Sequence, residues 1–282
     1  MRRQAAAAVI LAGWLLAAVA ADPRPEETEA PPARVEYGEP RKLCELADQR
    51  VNESSGLACS RHTGGVFWTH NDSGDRPRIF AFNRRGEDLG TFRVLGAAAL
   101  DWEDMASVRL GEKPYLLCAD TGDNARRRKT ATVYLVEEPA LGKDGEPPRG
   151  AVGAAQAIHF TYEDGPQNCE AVAIDATEGV LYLVTKTVVA ESKVYALPLP
   201  GKTGDGPPVA KVIARLKARP ATAMDISPDG LRAVVLTYGH AFEYVRTRQE
   251  TWTDAFSREP RLIAMPTRAL GESICYGPDG KT

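Results

Sequence analysis

The stretch Ser55–Gly74, SGLACSRHTGGVFWTHNDSG, decides the fold. A small residue opens a short apolar run (Leu57, Ala58, Cys59), and a turn follows. A second run (Val66, Phe67, Trp68) ends in the polar cluster His70, Asn71, Asp72. The same pattern then returns. Glu103-Asp-Met-Ala-Ser-Val leads to Tyr115-Leu-Leu-Cys-Ala-Asp-Thr-Gly-Asp-Asn124, and Glu170-Ala-Val-Ala-Ile-Asp leads to Leu181-Tyr-Leu-Val-Thr-Lys-Thr187. Thr222-Ala-Met-Asp-Ile-Ser-Pro-Asp-Gly230 leads to Ala233-Val-Val-Leu-Thr-Tyr-Gly239, and Glu272-Ser-Ile-Cys-Tyr-Gly-Pro-Asp-Gly280 opens a fifth copy. The openers Ser55, Glu103, Glu170, Thr222 and Glu272 are spaced by 48, 67, 52 and 50 residues. Short strands repeating at such a period predict an all-β fold, a β-propeller of four-stranded blades.

Working outward, each repeat supplies two further strands bounded by turn residues. Blade one is expected over 55–95, blade two over 103–163, blade three over 170–216 and blade four over 222–266. The long second spacing is read as a Gly/Pro-rich loop from Pro139 to Gly153. Helical periodicity is nearly absent, and Val209–Lys217 reads as a strand by its place in the repeat. Gly277-Pro-Asp-Gly280 copies the turn Ser227-Pro-Asp-Gly230, yet only Lys281 and Thr282 follow it. The reading is therefore a chain truncated in its last blade, with six blades favoured for the parent ring and five as the alternative. Val35–Leu46 is expected to supply one or two strands that complete the last blade.

The N-terminus reads as a targeting segment. Arg2 and Arg3 precede the apolar run Ala5–Val19, and Ala18-Val-Ala20 is a small-x-small cleavage signal. The domain organisation is thus a signal peptide (1–21), a Pro/Glu-rich flexible leader (22–34) and a single propeller domain (35–282). This implies a secreted or periplasmic protein with no stable membrane span after cleavage, expected as a monomer. A net charge of -3 gives no electrostatic case for a nucleic-acid partner. The five cysteines include no CxxC pair, so a cysteine-type zinc site is unsupported. Cys44 with Cys275 is the disulfide to check.

Equivalent positions in innermost strands form a ring around a propeller's channel. Glu103, Glu170 and Glu272 therefore face a shared space, and the second strands end close by in Asn71, Asp72, Asp120 and Lys186. Asp101 and Asp104 add charge around Glu103. Carboxylates gathered in one ring repel unless they are solvated, paired or bridged by a cation. An oxygen-rich set suits calcium, which takes about six to eight oxygen ligands. The candidate metal ligands are Asn71, Asp72, Glu103, Asp120 and Glu170. The alternative stays open: Asx-Gly clusters at strand ends are ordinary turn chemistry, and the glutamates could pair with arginines. His70 and His240 fall at second-strand ends as candidate bases, or as loop residues without catalytic roles. Arg126-Arg-Arg-Lys129 reads as a solvated face, and Trp68 and Trp102 as packing.

The motifs Glu53-Ser-Ser-Gly-Leu-Ala58, Trp68-Thr-His-Asn-Asp-Ser-Gly-Asp75, Asp101-Trp-Glu-Asp-Met-Ala106 and Ala119-Asp-Thr-Gly-Asp-Asn124 resemble those of exported bacterial propeller proteins of largely unassigned function. More distantly, the chain is similar to the six-bladed superfamily of NHL, regucalcin-like and phytase-like propellers. That resemblance implies a divalent cation in the central channel, with Glu103 and Glu170 at ligand positions and Asn71 and Asp120 as neighbours. Enzymes of the superfamily hydrolyse lactones or phosphoesters, whereas other members only bind partners. Ser55 and Thr222 break the acidic ring here. Three readings follow: a secreted propeller binding a small molecule or protein at an acidic funnel, a divalent-metal-dependent hydrolase of the lactonase or phosphoesterase kind, and a structural cell-surface interaction module.

Overall fold

The computed structural model describes residues 30, 32–142, 148–199, 208–268 and 270–280. The segment read as a signal peptide and most of the leader lie outside them. Among the described residues no helix is long and apolar enough to cross a membrane.

Four successive four-stranded antiparallel blades make the body of a β-propeller. Blade one is β1 (Ser54–Cys59), β2 (Val66–Asn71), β3 (Arg78–Asn83) and β4 (Asp88–Leu95). Blade two is β5 (Trp102–Leu110), β6 (Lys113–Asp120), β7 (Ala131–Glu137) and β8 (Arg149–Tyr162). Blade three is β9 (Cys169–Asp175), β10 (Val180–Thr185), β11 (Ser192–Pro198) and β12 (Val209–Leu216). Blade four is β13 (Ala221–Ile226), β14 (Arg232–Thr237), β15 (Ala241–Val245) and β16 (Arg261–Ile263). The first strands β1, β5, β9 and β13 pack side by side at the centre. The cores lie between blades. One apolar cluster joins blades one and two through Trp68, Ile79, Trp102 and Met105. Others join blades two and three, and blades three and four.

The openers share a structural device. In every blade the pairing of the first strand with the second slips at the opener. The extra residues are Ser55, Glu103 with Asp104, Glu170, and Thr222. A β-bulge leaves its extra residue outside the ladder and re-aims its side chain. The equivalence seen in the sequence is therefore a recurrent bulge on the innermost strand.

Three expectations are corrected. Residues 149–153, read as loop, begin β8 and pair in parallel with β4, while the far end of β8 pairs in parallel with β12. One bent strand thus ties three blades together. Residues 35–46 form no strand: Gly38 and Pro40 interrupt the run, and Pro lacks a ladder donor. That segment runs along blade four, where Tyr37 donates to Glu243 Oε1 (2.6 Å), and reaches blade one, where Ala47 N donates to Gly86 O (2.8 Å). A short helix, α1 (Trp252–Phe256), sits between β15 and β16. Thr251 and Asp254 form its capping box, and Trp252 and Phe256 are buried against Tyr182. So brief an element shows no helical period in the sequence.

The fifth opening segment packs against blade four, where Tyr276 joins the apolar cluster of Ala223, Val234, Leu236 and Ala241. Tyr276 N donates to Asp225 Oδ2 (2.7 Å), and Thr222 Oγ1 donates to Gly271 O (2.6 Å).

Candidate functional site

Three backbone segments converge at the end of the channel where the innermost strands begin. Asp72 follows β2, Asp101 precedes β5, and Glu103 stands in the β5 bulge. Each offers a carboxylate oxygen, and the three oxygens lie within 4.8 Å of one another. Asp72 is held by its own N–H, which donates to Glu53 O (2.9 Å), and its Oδ1 accepts from Ser73 N (2.5 Å). Asp101 is held by Asp120, whose Oδ1 accepts from Asp101 N (3.1 Å), and its carbonyl accepts from Gly122 N (3.2 Å).

Glu103 is 5% exposed, and among the described residues no hydrogen bond or ion pair reaches its carboxylate. Burial, followed by Glu170, Asp72 and Asp101, pushes its pKa up to about 10. Burial, then Asp72, also raises Asp101. Lys186 near Glu103 and Arg128 near Asp101 offset this repulsion only in part, and among the described residues neither is within ion-pair distance of the cluster.

Glu170, in the β9 bulge, is the neighbour across the channel. Its Oε2 is paired with Lys186, and its Oε1 accepts from Asn168 Nδ2 (3.1 Å). Burial raises Glu170 despite that ammonium. Lys186 lies 5.2 Å from the Tyr238 ring centroid. Burial opposes its charge, yet Glu170 and Tyr238 outweigh burial and hold Lys186 above its ordinary pKa.

The five residues expected as ligands therefore divide. Asp72 and Glu103 meet in the cluster, and Glu170 faces it while paired to Lys186. Asn71 and Asp120 support it from behind. Asn71 Oδ1 accepts from Asn52 N and Glu53 N (3.2 and 3.3 Å), and its Nδ2 donates to Arg50 O and Asp75 Oδ2 (2.7 and 2.8 Å). It thereby fixes the Glu53 carbonyl that anchors Asp72. Asp120 is 1% exposed and takes Arg128 Nη1 at 2.8 Å. Arg128, from the run read as a solvated face, points inward and also donates to Gly122 O (2.8 Å).

Asp104 turns away from the cluster. Fully buried, it accepts from Met105 N (2.8 Å), Val172 N (2.8 Å) and Met224 N (3.0 Å), linking β5 to β9 and β13. His70 is equally buried. Its ring nitrogens face Asn71 O (2.9 Å) and Asp104 O (3.3 Å), and its ring is edge-on to Trp102. Burial lowers its pKa. A base needs a proton within reach of a substrate, and His70 is walled off from the channel mouth. His240 is exposed, outside the cluster. Trp68 and Trp102 are buried, as their packing reading required.

The donor set fits a hard cation. Three carboxylates from separate segments present oxygens at one point, and the most buried of them lacks a partner of its own. Calcium takes oxygen ligands of this kind, with remaining positions filled by water or backbone carbonyls.

No protein-family model matches this chain, and no curated protein matches it in sequence. Among solved structures it is similar to the Dos1 propeller, at 10% identity and a TM-score of 0.38. That alignment covers 76% of this chain and 47% of the other, so the chain spans about half the length of that structure.

Proposed function

We propose that this propeller is a binding module that captures a small molecule or protein at its acidic channel mouth, with a divalent cation, calcium by preference, as part of the site. Asp72, Asp101 and Glu103 would hold the cation directly, and Glu170 with Lys186 would form the adjacent wall. The observation that carries this reading is the convergence of the three carboxylates within 4.8 Å. When bound, the cation would offset their mutual repulsion and present its open coordination positions to an anionic or carbonyl group of the partner. Export directed by residues 1–21 belongs to the same reading, and the N-terminal sequence of the secreted protein tests it.

Calcium titration of thermal stability tests the site. A ligand that binds only the folded state adds about 2.7 kcal/mol at a hundred times its Kd. An upward Tm shift that is lost in Glu103→Gln is expected, and it would justify screening lactones and phosphoesters. A folded protein whose Tm ignores calcium would overturn the metal site and leave an interaction module with structural acids.

A further inference from the structure

The innermost strands begin at the acidic mouth, so their far ends gather at the other end of the channel. There Arg61 after β1, Arg109 near the end of β5, and the residues that close β9 and β13 line a cavity of about 210 Å3. Its walls include Val108, Ile174, Ile226 and Pro228. Pockets for drug-sized ligands run to roughly 300–1,000 Å3, so this one suits a smaller molecule.

The charge around the cavity is one-sided. Arg61 is pinned at its backbone, where its N–H donates to Glu138 Oε2 (3.0 Å), and its Nε donates to Ser107 O (3.4 Å). Arg109 donates through Nη1 to Glu112 O (2.8 Å) and through Nη2 to Arg61 O (2.9 Å). The guanidinium acceptors are neutral carbonyls. Among the described residues neither guanidinium has a carboxylate within ion-pair distance, and no hydrogen bond uses either Nη group of Arg61. The one carboxylate on the wall, Asp175, is already taken by Arg246 Nη2 (2.6 Å), Trp252 Nε1 (2.9 Å) and Thr177 N (2.8 Å). Asp225 accepts from Ile226 N (2.8 Å) and Tyr276 N (2.7 Å). Burial pushes its pKa up to about 6, and the Arg61 charge offsets that only in part.

We propose that this cavity binds a small organic anion, a monocarboxylate with a short apolar body, whose carboxylate meets Arg61 and Arg109 and whose body lies against Val108, Ile174 and Ile226. A guanidinium has five N–H donors in a planar fork that matches a carboxylate. The apolar walls take the body of the ligand out of water. The site lies at the opposite end of the channel from Asp72, Asp101 and Glu103 and needs no cation.

Butyrate is the probe. Thermal unfolding of the full chain is followed in butyrate, in its neutral analogue butyramide and in inorganic phosphate, at matched ionic strength. Saturating butyrate should raise the Tm by on the order of 5 °C, butyramide should leave it unchanged, and phosphate should act more weakly than butyrate. By calorimetry, Arg61→Gln and Arg109→Gln should each weaken butyrate binding at least tenfold. Arg127→Gln, the same charge change on an exposed loop at the acidic mouth, should bind butyrate as the wild type does. Arg109 is exposed, so its variant keeps the test informative even where Arg61→Gln disturbs the turn after β1. No shift with butyrate, an equal shift with butyramide, tighter binding of phosphate, or wild-type affinity in folded Arg109→Gln would overturn the proposal.

Discussion

Gly122 lies directly against Glu103. A methyl group built on its Cα would overlap Glu103 Oε1 and come within 2.5 Å of Asp101 Oδ2. The two carboxylates approach one another because the backbone beside them carries no side chain. A close approach of this kind is a specific use of glycine.

Gly122→Ala should therefore disperse the cluster without unfolding the protein, since the atoms displaced are the ends of two side chains. We expect a cost of about 1–3 kcal/mol from overpacking and at least a tenfold loss of calcium affinity, read by calorimetry. Gly153→Ala is the control, because a methyl there meets nothing within 4 Å. Unchanged calcium binding in Gly122→Ala would place any cation elsewhere.

Glu103 gives the channel mouth a pH dependence. Its folded-state pKa, pushed up to about 10, lies above the ordinary carboxylate value of about 4.3. An acid raised by folding contributes stability below its unfolded pKa and loses it as pH climbs toward the folded one. In chelator, Glu103→Gln should thus match the wild type near pH 4 and exceed it progressively up to pH 9, by about 2–4 kcal/mol in urea denaturation. Added calcium should reverse the order, because the ion favours the charged form. A wild type more stable than the variant at pH 8 without calcium would sink this account of Glu103.

The sequence carried the blades and the ring of openers, because a period of short strands survives translation into structure. Ser55, Glu103, Glu170 and Thr222 are equivalent as read, and the bulge explains why. The division of labour among the acids was hidden. Asn71-Asp72 and Asp120-Thr-Gly are both polar clusters at the end of a second strand, yet Asp72 faces the channel whereas Asn71 and Asp120 face loops. What separates them is tertiary: Arg128, from a run that looks solvated, claims Asp120. The inward turn of Asp104 next to Glu103 follows from the bulge, and the start of β8 at Arg149 follows from a neighbouring blade's edge. None of these is written in local pattern.

Asp120 acts on the cluster only through Asp101 and Arg128, so its removal should look structural. Asp120→Asn removes the charged partner of the half-buried Arg128, which keeps its bonds to the Gly122 and Asp120 carbonyls, so a cost of about 1–3 kcal/mol is expected. Calcium should still raise the Tm of the variant, with affinity reduced less than in Glu103→Gln. Complete loss of the calcium response with little loss of stability would instead make Asp120 a ligand.

Asp104 holds the ring together at its axis. Its carboxyl accepts amides from β5, β9 and β13. Asp104→Ala strands these buried donors, and each unpaired group costs about 1–3 kcal/mol, so a loss on the order of 4 kcal/mol is expected. Amide exchange should quicken at Val172 and Met224 before it does in the outer strands. Asp104→Asn, which keeps one acceptor, should cost less, and its penalty reports the protonation state. Burial raises Asp104 well above its ordinary value despite the three amides. Wild-type stability from this group is then fully present below the unfolded pKa and declines as pH rises, whereas Asn is neutral throughout. The gap between wild type and Asp104→Asn should therefore narrow from pH 4 to pH 8 in denaturant titrations. A gap that widens over the same range would mean that the three amides stabilise an ionised carboxylate, and that they rather than burial govern the axis of the propeller.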